Sequence, residues 1–307
     1  MMRIFRNITL LAAMIMATVA CDKIEKPSSS FIRFRVDVEN MEVETKAGSA
    51  PGPDEFYMVG WYMDGNPWFY PGGQFAIKKY SLNADEDSVI EGGNTISHNP
   101  QWKTDKKSSF WACTDWGGSL PNISEHVNYD VFRKDTITAY VNYTNNHMTD
   151  ASQQSDFMFA YSEKTQGETV EDDILHLHFF HTLSKINFVD NTVDSQINSL
   201  KIVGSYNVGK VYVDKNSSVS WDDLSDTDKT MTISSFDQSM YLIPQTGTIT
   251  ITAVMQDNTE KTKTVNVAWQ AGFEYTYRLN LASTEQATKA GNSDDCLTIE
   301  CISEKKY

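Results

Sequence analysis

Between residues 200 and 281 short segments with alternating apolar side chains recur at roughly ten-residue steps, separated by Gly, Asn, Asp and Ser. They fall at 200–203, 208–213, 218–221, 231–233, 240–243, 248–255, 263–269 and 275–281. Segments this short cannot form helices that bury a stripe, and their period of two places every second side chain on one face. Many short strands at that spacing predict a β-sandwich. Upstream, Ile32, Phe34, Val36 and Val38 alternate with Arg33, Arg35, Asp37 and Glu39, the signature of a half-buried strand. Segments 56–63, 108–113, 136–143 and 156–161 read as further strands. A turn at Asp64-Gly65-Asn66-Pro67 joins 56–63 to 68–70. The most apolar run, 174–189, is long enough for two strands or one bent strand. No long amphipathic helix and no internal repeat is visible, so the fold class is all-β.

The first residues read as an address. Arg3 and Arg6 precede an apolar run at 8–17, followed by Thr18-Val19-Ala20-Cys21. That run is about half the ~20 residues of a membrane-spanning helix, so 1–20 is expected to be a secretory signal peptide. A cysteine directly after small residues suits a bacterial lipoprotein peptidase, because its thiol takes the diacylglyceryl group before cleavage. Cys21 is thus the expected lipidation site, its acyl chains (palmitate among them) buried in the outer membrane. Residues 21–30 form a polar tether, and the body divides into 31–190, 191–290 and a tail at 291–307.

Charge and chemistry narrow the function. The formal net charge is −15, and removing two arginines with the leader makes the body more acidic still. Nucleic acid and anionic lipid headgroups both require clustered Lys and Arg, which argues against them as partners. Cys113, Cys296 and Cys301 remain after lipidation. Cys296 and Cys301 face opposite sides of an extended strand, whereas a bridge from Cys113 to either stays open. His176 and His178 share one face of a strand and His181 takes the other; a zinc site would need a third ligand. No nucleophile elbow, phosphate-binding glycine loop or zinc-protease helix is present, so no catalytic residue, cofactor or metal is assigned. Asp222-Asp223 and Glu171-Asp172-Asp173 read as solvated turns. Trp61, Trp68, Trp102, Trp111 and Trp116 crowd the first half, where indoles either close a core or stack on a glycan. The tail alternates again at 296–302, and such a strand needs a partner edge.

The segment Phe179-Phe180-His181-Thr182-Leu183-Ser184-Lys185-Ile186-Asn187-Phe188 resembles the fimbrillin-like family of Bacteroidales, the type V pilins. Ser155-Asp156-Phe157-Met158-Phe159-Ala160, Tyr241-Leu242-Ile243-Pro244-Gln245 and Gly272-Phe273-Glu274-Tyr275-Thr276-Tyr277-Arg278-Leu279-Asn280-Leu281 agree with it, in the same order. The resemblance implies two transthyretin-like β-sandwich domains in tandem, exported as a lipoprotein. It also implies assembly at the cell surface. A trypsin-like protease cuts the loop after the first strand, which then departs with its lipid, and another subunit's strand fills the vacated groove. Here the cut would fall between Lys46 and Ala47. The displaced strand would carry Ile32, Phe34, Val36 and Val38, and the donor strand Leu297, Ile299 and Cys301. Losing four inward apolar side chains would expose about 6–12 kcal/mol of burial, so the groove must be refilled.

These readings combine into a fimbrial structural or accessory subunit, not an enzyme. Its partners are other fimbrial subunits by donor-strand exchange and, before cleavage, the outer membrane through lipid. The alternative is a monomeric surface lipoprotein whose aromatic-rich N-terminal half binds glycan or a host ligand.

Overall fold

The computed structural model describes residues 33–38, 55–62, 78–82, 90–91, 107–114, 136–143, 149–165, 174–192, 196–225, 227–281 and 297–307. Strands follow one another as β1 (Arg33–Val38), β2 (Glu55–Tyr62), β3 (Lys78–Leu82), β4 (Ile90–Glu91), β5 (Lys107–Cys113), β6 (Thr136–Asn142), β7 (Met158–Thr165), β8 (Ile174–His181) and β9 (Ser184–Asp190). The second half supplies β10 (Ile197–Val203), β11 (Val208–Asp214), β12 (Val219–Ser225), β13 (Met231–Ile233), β14 (Met240–Leu242), β15 (Thr246–Met255), β16 (Glu260–Ala268), β17 (Phe273–Leu281) and β18 (Leu297–Lys306). Among the described residues, helix is limited to one 3-10 turn at Ala151–Gln153. The all-β expectation holds.

Four sheets organise these strands. The largest has seven, in the order β1-β8-β7-β5-β2-β3-β4. Its ends β1 and β4 approach each other, so the sheet curls toward closure. Two four-stranded sheets, β13-β10-β15-β16 and β14-β9-β17-β18, share one core, with a three-stranded sheet β12-β11-β6 completing it. Most pairs are antiparallel; β1 with β8 and β9 with β17 run parallel.

Alternation explains why these sequences take these places. Ile249, Ile251, Ala253 and Met255 on β15 turn inward, while Thr248, Thr250 and Thr252 face out. Across the shared core stand Ile186 and Phe188 of β9, Met240 and Leu242 of β14, and Tyr275, Tyr277 and Leu279 of β17. A second, smaller core gathers Val36, Val38, Phe56, Met58, Phe110, Ala112, Ala160, Leu175, Leu177 and Phe179. On β5, Phe110 and Ala112 enter this smaller core and Trp111 and Cys113 enter the larger one. The middle of the seven-stranded sheet is therefore buried on both faces, which is why Phe110-Trp111-Ala112-Cys113 is continuously apolar.

The run 174–189 takes the two-strand form of its two expected alternatives, and β8 and β9 fall in different sheets. Other placements depart from the sequence reading. Two strands that precede residue 191, β6 and β9, hydrogen-bond to β11 and to β14 and β17, which follow it. Asp222 and Asp223 lie within the edge strand β12 beside a register shift, with Asp223 at φ 51°, rather than in a turn. The β2 neighbours found are β3 and β5. The 64–67 turn, segment 68–70 and Glu171-Asp172-Asp173 lie outside the described residues.

Candidate functional site: the outermost strands and the turn between β8 and β9

β1 lies at the edge of its sheet, pairing with β8 from Arg33↔Ile174 to Val38↔Phe179. Val36 and Val38 point into the smaller core beside Leu175, Leu177 and Phe179. Withdrawing those two valines removes about 3–6 kcal/mol of burial, at ~1.5–3 each, and uncovers the β8 ladder. The β8 side chains Leu175, Leu177 and Phe179 are themselves fully buried, so the uncovered surface would be a row of apolar pockets. The backbone of Phe34 belongs to β1; Ile32, Cys21, Lys46 and Ala47 lie outside the described residues.

β18 occupies the other kind of edge. It pairs antiparallel with β17 from Leu281↔Leu297 to Phe273↔Lys306. A register shift opposite Thr276 and Tyr277 leaves Ile302 without a facing residue, a β-bulge that turns its side chain outward. Leu297 is buried in the shared core, Ile299 is half-buried against it, and Cys301 is exposed. Most of the remaining side chains are exposed until Tyr307, which is 8% exposed. β18 is thus pinned near its two ends and held between them chiefly by ladder hydrogen bonds.

Tyr307 is seated at the turn where the chain passes from β8 to β9. Its amide donates to the Gly272 carbonyl at 3.0 Å, and the Gly272 amide donates to the Leu183 carbonyl at 2.9 Å. Its hydroxyl donates to the same Leu183 carbonyl at 3.4 Å. The His181 ring lies 4.0 Å from the Tyr307 ring between centroids, and the Lys185 ammonium 5.5 Å above it. Gly272 sits at φ +72°, which only glycine adopts without strain. Asp156 binds His181 Nδ1, while Asp156 Oδ1 and His181 Nε2 are buried without a hydrogen-bond partner. Burial, then the Asp156 charge, pushes the Tyr307 phenol well above its ordinary value, and Tyr241 is raised by the same two causes. Burial works to raise the Glu274 carboxyl, but Lys185 and Lys305, at 3.0 and 3.3 Å, outweigh it and hold it low.

The same turn ties the sheets together. Thr182 Oγ1 donates to the Phe157 carbonyl at 2.6 Å, and its own carbonyl accepts from Trp221 Nε1 at 3.1 Å. Ser184 Oγ donates to the Gln270 carbonyl at 2.8 Å.

Other candidates resolve simply. His176 and His178 are exposed on one face of β8 and His181 is buried on the other; among the described residues no group of three ligands could hold a metal. Trp111 is buried beside Tyr161, with centroids 4.6 Å apart, and offers no face to a sugar. The side chain of Trp61, and all of Trp68, Trp102 and Trp116, lie outside the described residues. Cys113 is buried in the larger core, Cys301 is exposed and free, and Cys296 lies outside the described residues. No described helix is long and apolar enough to cross a membrane. Sequence reasoning missed Tyr307; the one signal for it was an aromatic residue directly after the polar stretch Ser303-Glu304-Lys305-Lys306.

The fold and the site define an all-β body of packed sheets, with β1 and β18 at sheet edges. The chain belongs to the fimbrillin-like family, whose sequence profile matches residues 75–294, and is with it a fimbrial-type surface protein. Its fold is similar to that of a putative cell adhesion protein from Bacteroides ovatus, at TM-score 0.55 and 14% identity, covering 90% of this chain and 97% of that one. A putative cell adhesion protein from Bacteroides uniformis is similar at TM-score 0.54 and 11% identity, covering 92% of this chain and 99% of that one. No curated protein sequence matches the chain.

Proposed function

We propose that this chain is a fimbrial structural or accessory subunit, exported as a lipoprotein on Cys21 and assembled at the cell surface by protease-triggered strand exchange. Cleavage between Lys46 and Ala47 frees β1 together with the lipid. The place along β8 then receives an extended strand from a neighbouring subunit, and β18, with Leu297, Ile299 and Cys301, is the strand this chain donates in turn. The precursor is held in the outer membrane and the product stands in the fimbrium.

The observation that supports this most is the seat of β1. It is an edge strand, paired on one side, whose valines plug a core that the rest of the sheet has already built. An incoming strand can reproduce both the ladder and the plugs, which is how strand addition combines affinity with selectivity. N-terminal sequencing of material sheared from the cell surface tests the proposal. The expected new terminus is Ala47; finding acylated Cys21 at the start of every mature molecule would sink assembly by this route.

A further inference from the structure

In the structure β18 is bound to its own body, so a strand meant for donation is already occupied. We propose that the turn between β8 and β9 forms a recognition socket for an aromatic ring following a strand, and that Tyr307, by filling it, latches β18 to its own body. The latch belongs to the isolated chain and stands whether or not β18 is later donated.

The geometry of the socket favours an aromatic ring. His181 offers a face to stack on, Lys185 a cation over the ring, and the Leu183 carbonyl an acceptor for the phenol. Gly272 aligns the strand end, its carbonyl taking the Tyr307 amide while its own amide is fixed by Leu183. A leucine could fill the volume but would forgo the stacking, the cation and the hydroxyl. Beside Tyr307 this end of β18 has the β17 ladder from Ser303 to Lys306 and the ion pair of Lys305 with Glu274, but its Glu304, Lys305 and Lys306 are exposed and the bulge at Ile302 interrupts the ladder. Leu297 anchors the opposite end, nearly the whole strand away. Residues 282–296 join β17 to β18 where a hairpin of neighbouring strands needs about two to five. That length of chain leaves β18 tethered to the body after its latch opens.

Native-state hydrogen exchange on the full chain tests the latch, with the β15 amides as an internal standard for global folding. Tyr307→Ala is expected to speed exchange of the 303–306 amides by about tenfold or more while β15 stays protected. Tyr307→Phe, which keeps the ring, should stay within about threefold of the parent, and Tyr307→Leu should behave like the alanine variant. The leucine variant fills the space, so it reads the latch even where alanine loosens the whole fold. If Tyr307→Leu protects 303–306 as well as Tyr307→Phe does, the socket does not recognise an aromatic ring. If exchange there is indifferent to all three substitutions, Tyr307 is no latch. Failure of the Ala47 terminus to appear would overturn the strand-exchange reading and leave this result untouched.

Discussion

At the scale of single residues the fold is held by positions that tolerate little change, and two of them give clear predictions. A Cβ at Gly209 on β11 would stand 2.9 Å from Leu224 Cδ2, 3.0 Å from Trp221 Cε3 and 3.2 Å from Ile243 Cδ1. Gly209→Ala should therefore destabilise by about 1–3 kcal/mol, seen as a lower urea midpoint. An unchanged midpoint would mean that the edge strand β12 shifts freely. Tyr307 makes a pH prediction. Its docked phenol resists ionisation, so the stabilisation is complete below the ordinary value of 10.0 and is lost as pH rises through the raised one. Asp156, His181, Lys185, Tyr241, Glu274 and Tyr143 are the polar groups of this neighbourhood. Between about pH 9 and 11 the urea midpoint should fall more steeply in the parent than in Tyr307→Phe, which has no phenol to ionise. Parallel falls would contradict the assignment. Tyr277 is pushed up to about 12 by burial, against the opposing hydrogen bond from Trp269, and contributes equally to both proteins.

At the scale of strands the edges differ in how firmly they are seated. Leu297→Ala should cost about 2–5 kcal/mol because the side chain is fully buried, whereas Ile302→Ala on the bulge should fall within about 0.5 kcal/mol. Equal losses would show that the bulge is not where the register places it. Strands such as β15 and β17 were legible in the sequence because one face is buried and the other wet, so their period of two is undisguised. β3 and β4 were not: KKYSL and Ile90–Glu91 offer too little apolar alternation to register. The extension of β18 through Glu304-Lys305-Lys306 escaped for the same reason, since its pairing with β17 rests on backbone rather than side chains. Partnership was less legible still. That β6 joins β11, and that β9 lies parallel to β17, depends on contacts between distant segments that no local pattern encodes. The candidate site was readable where it is apolar, at Val36, Val38 and Leu297. It was unreadable at Tyr307, whose partners come from three separate strand ends.

At the scale of the whole molecule the two cores make loss of β1 a local event. The described side chains of β1, Val36 and Val38, both belong to the smaller core. Val36→Asp should then speed amide exchange in β8 by about tenfold or more while β15 remains protected. Uniform loss of protection would mean the cores unfold together. The chain crosses between them at Phe179-Phe180-His181-Thr182-Leu183-Ser184, where successive residues answer to different neighbours. Phe179 enters the smaller core and Phe180 the larger; His181 lies under Tyr307; Thr182 joins Phe157 to Trp221; Leu183 receives Gly272 and Tyr307; Ser184 holds Gln270. No substitution there can be absorbed by adjusting a single contact surface. In a saturation-mutagenesis scan read out by surface display, this hexapeptide should be the least permissive window of the chain, while the threonine-bearing outer face of β15 accepts almost any polar replacement.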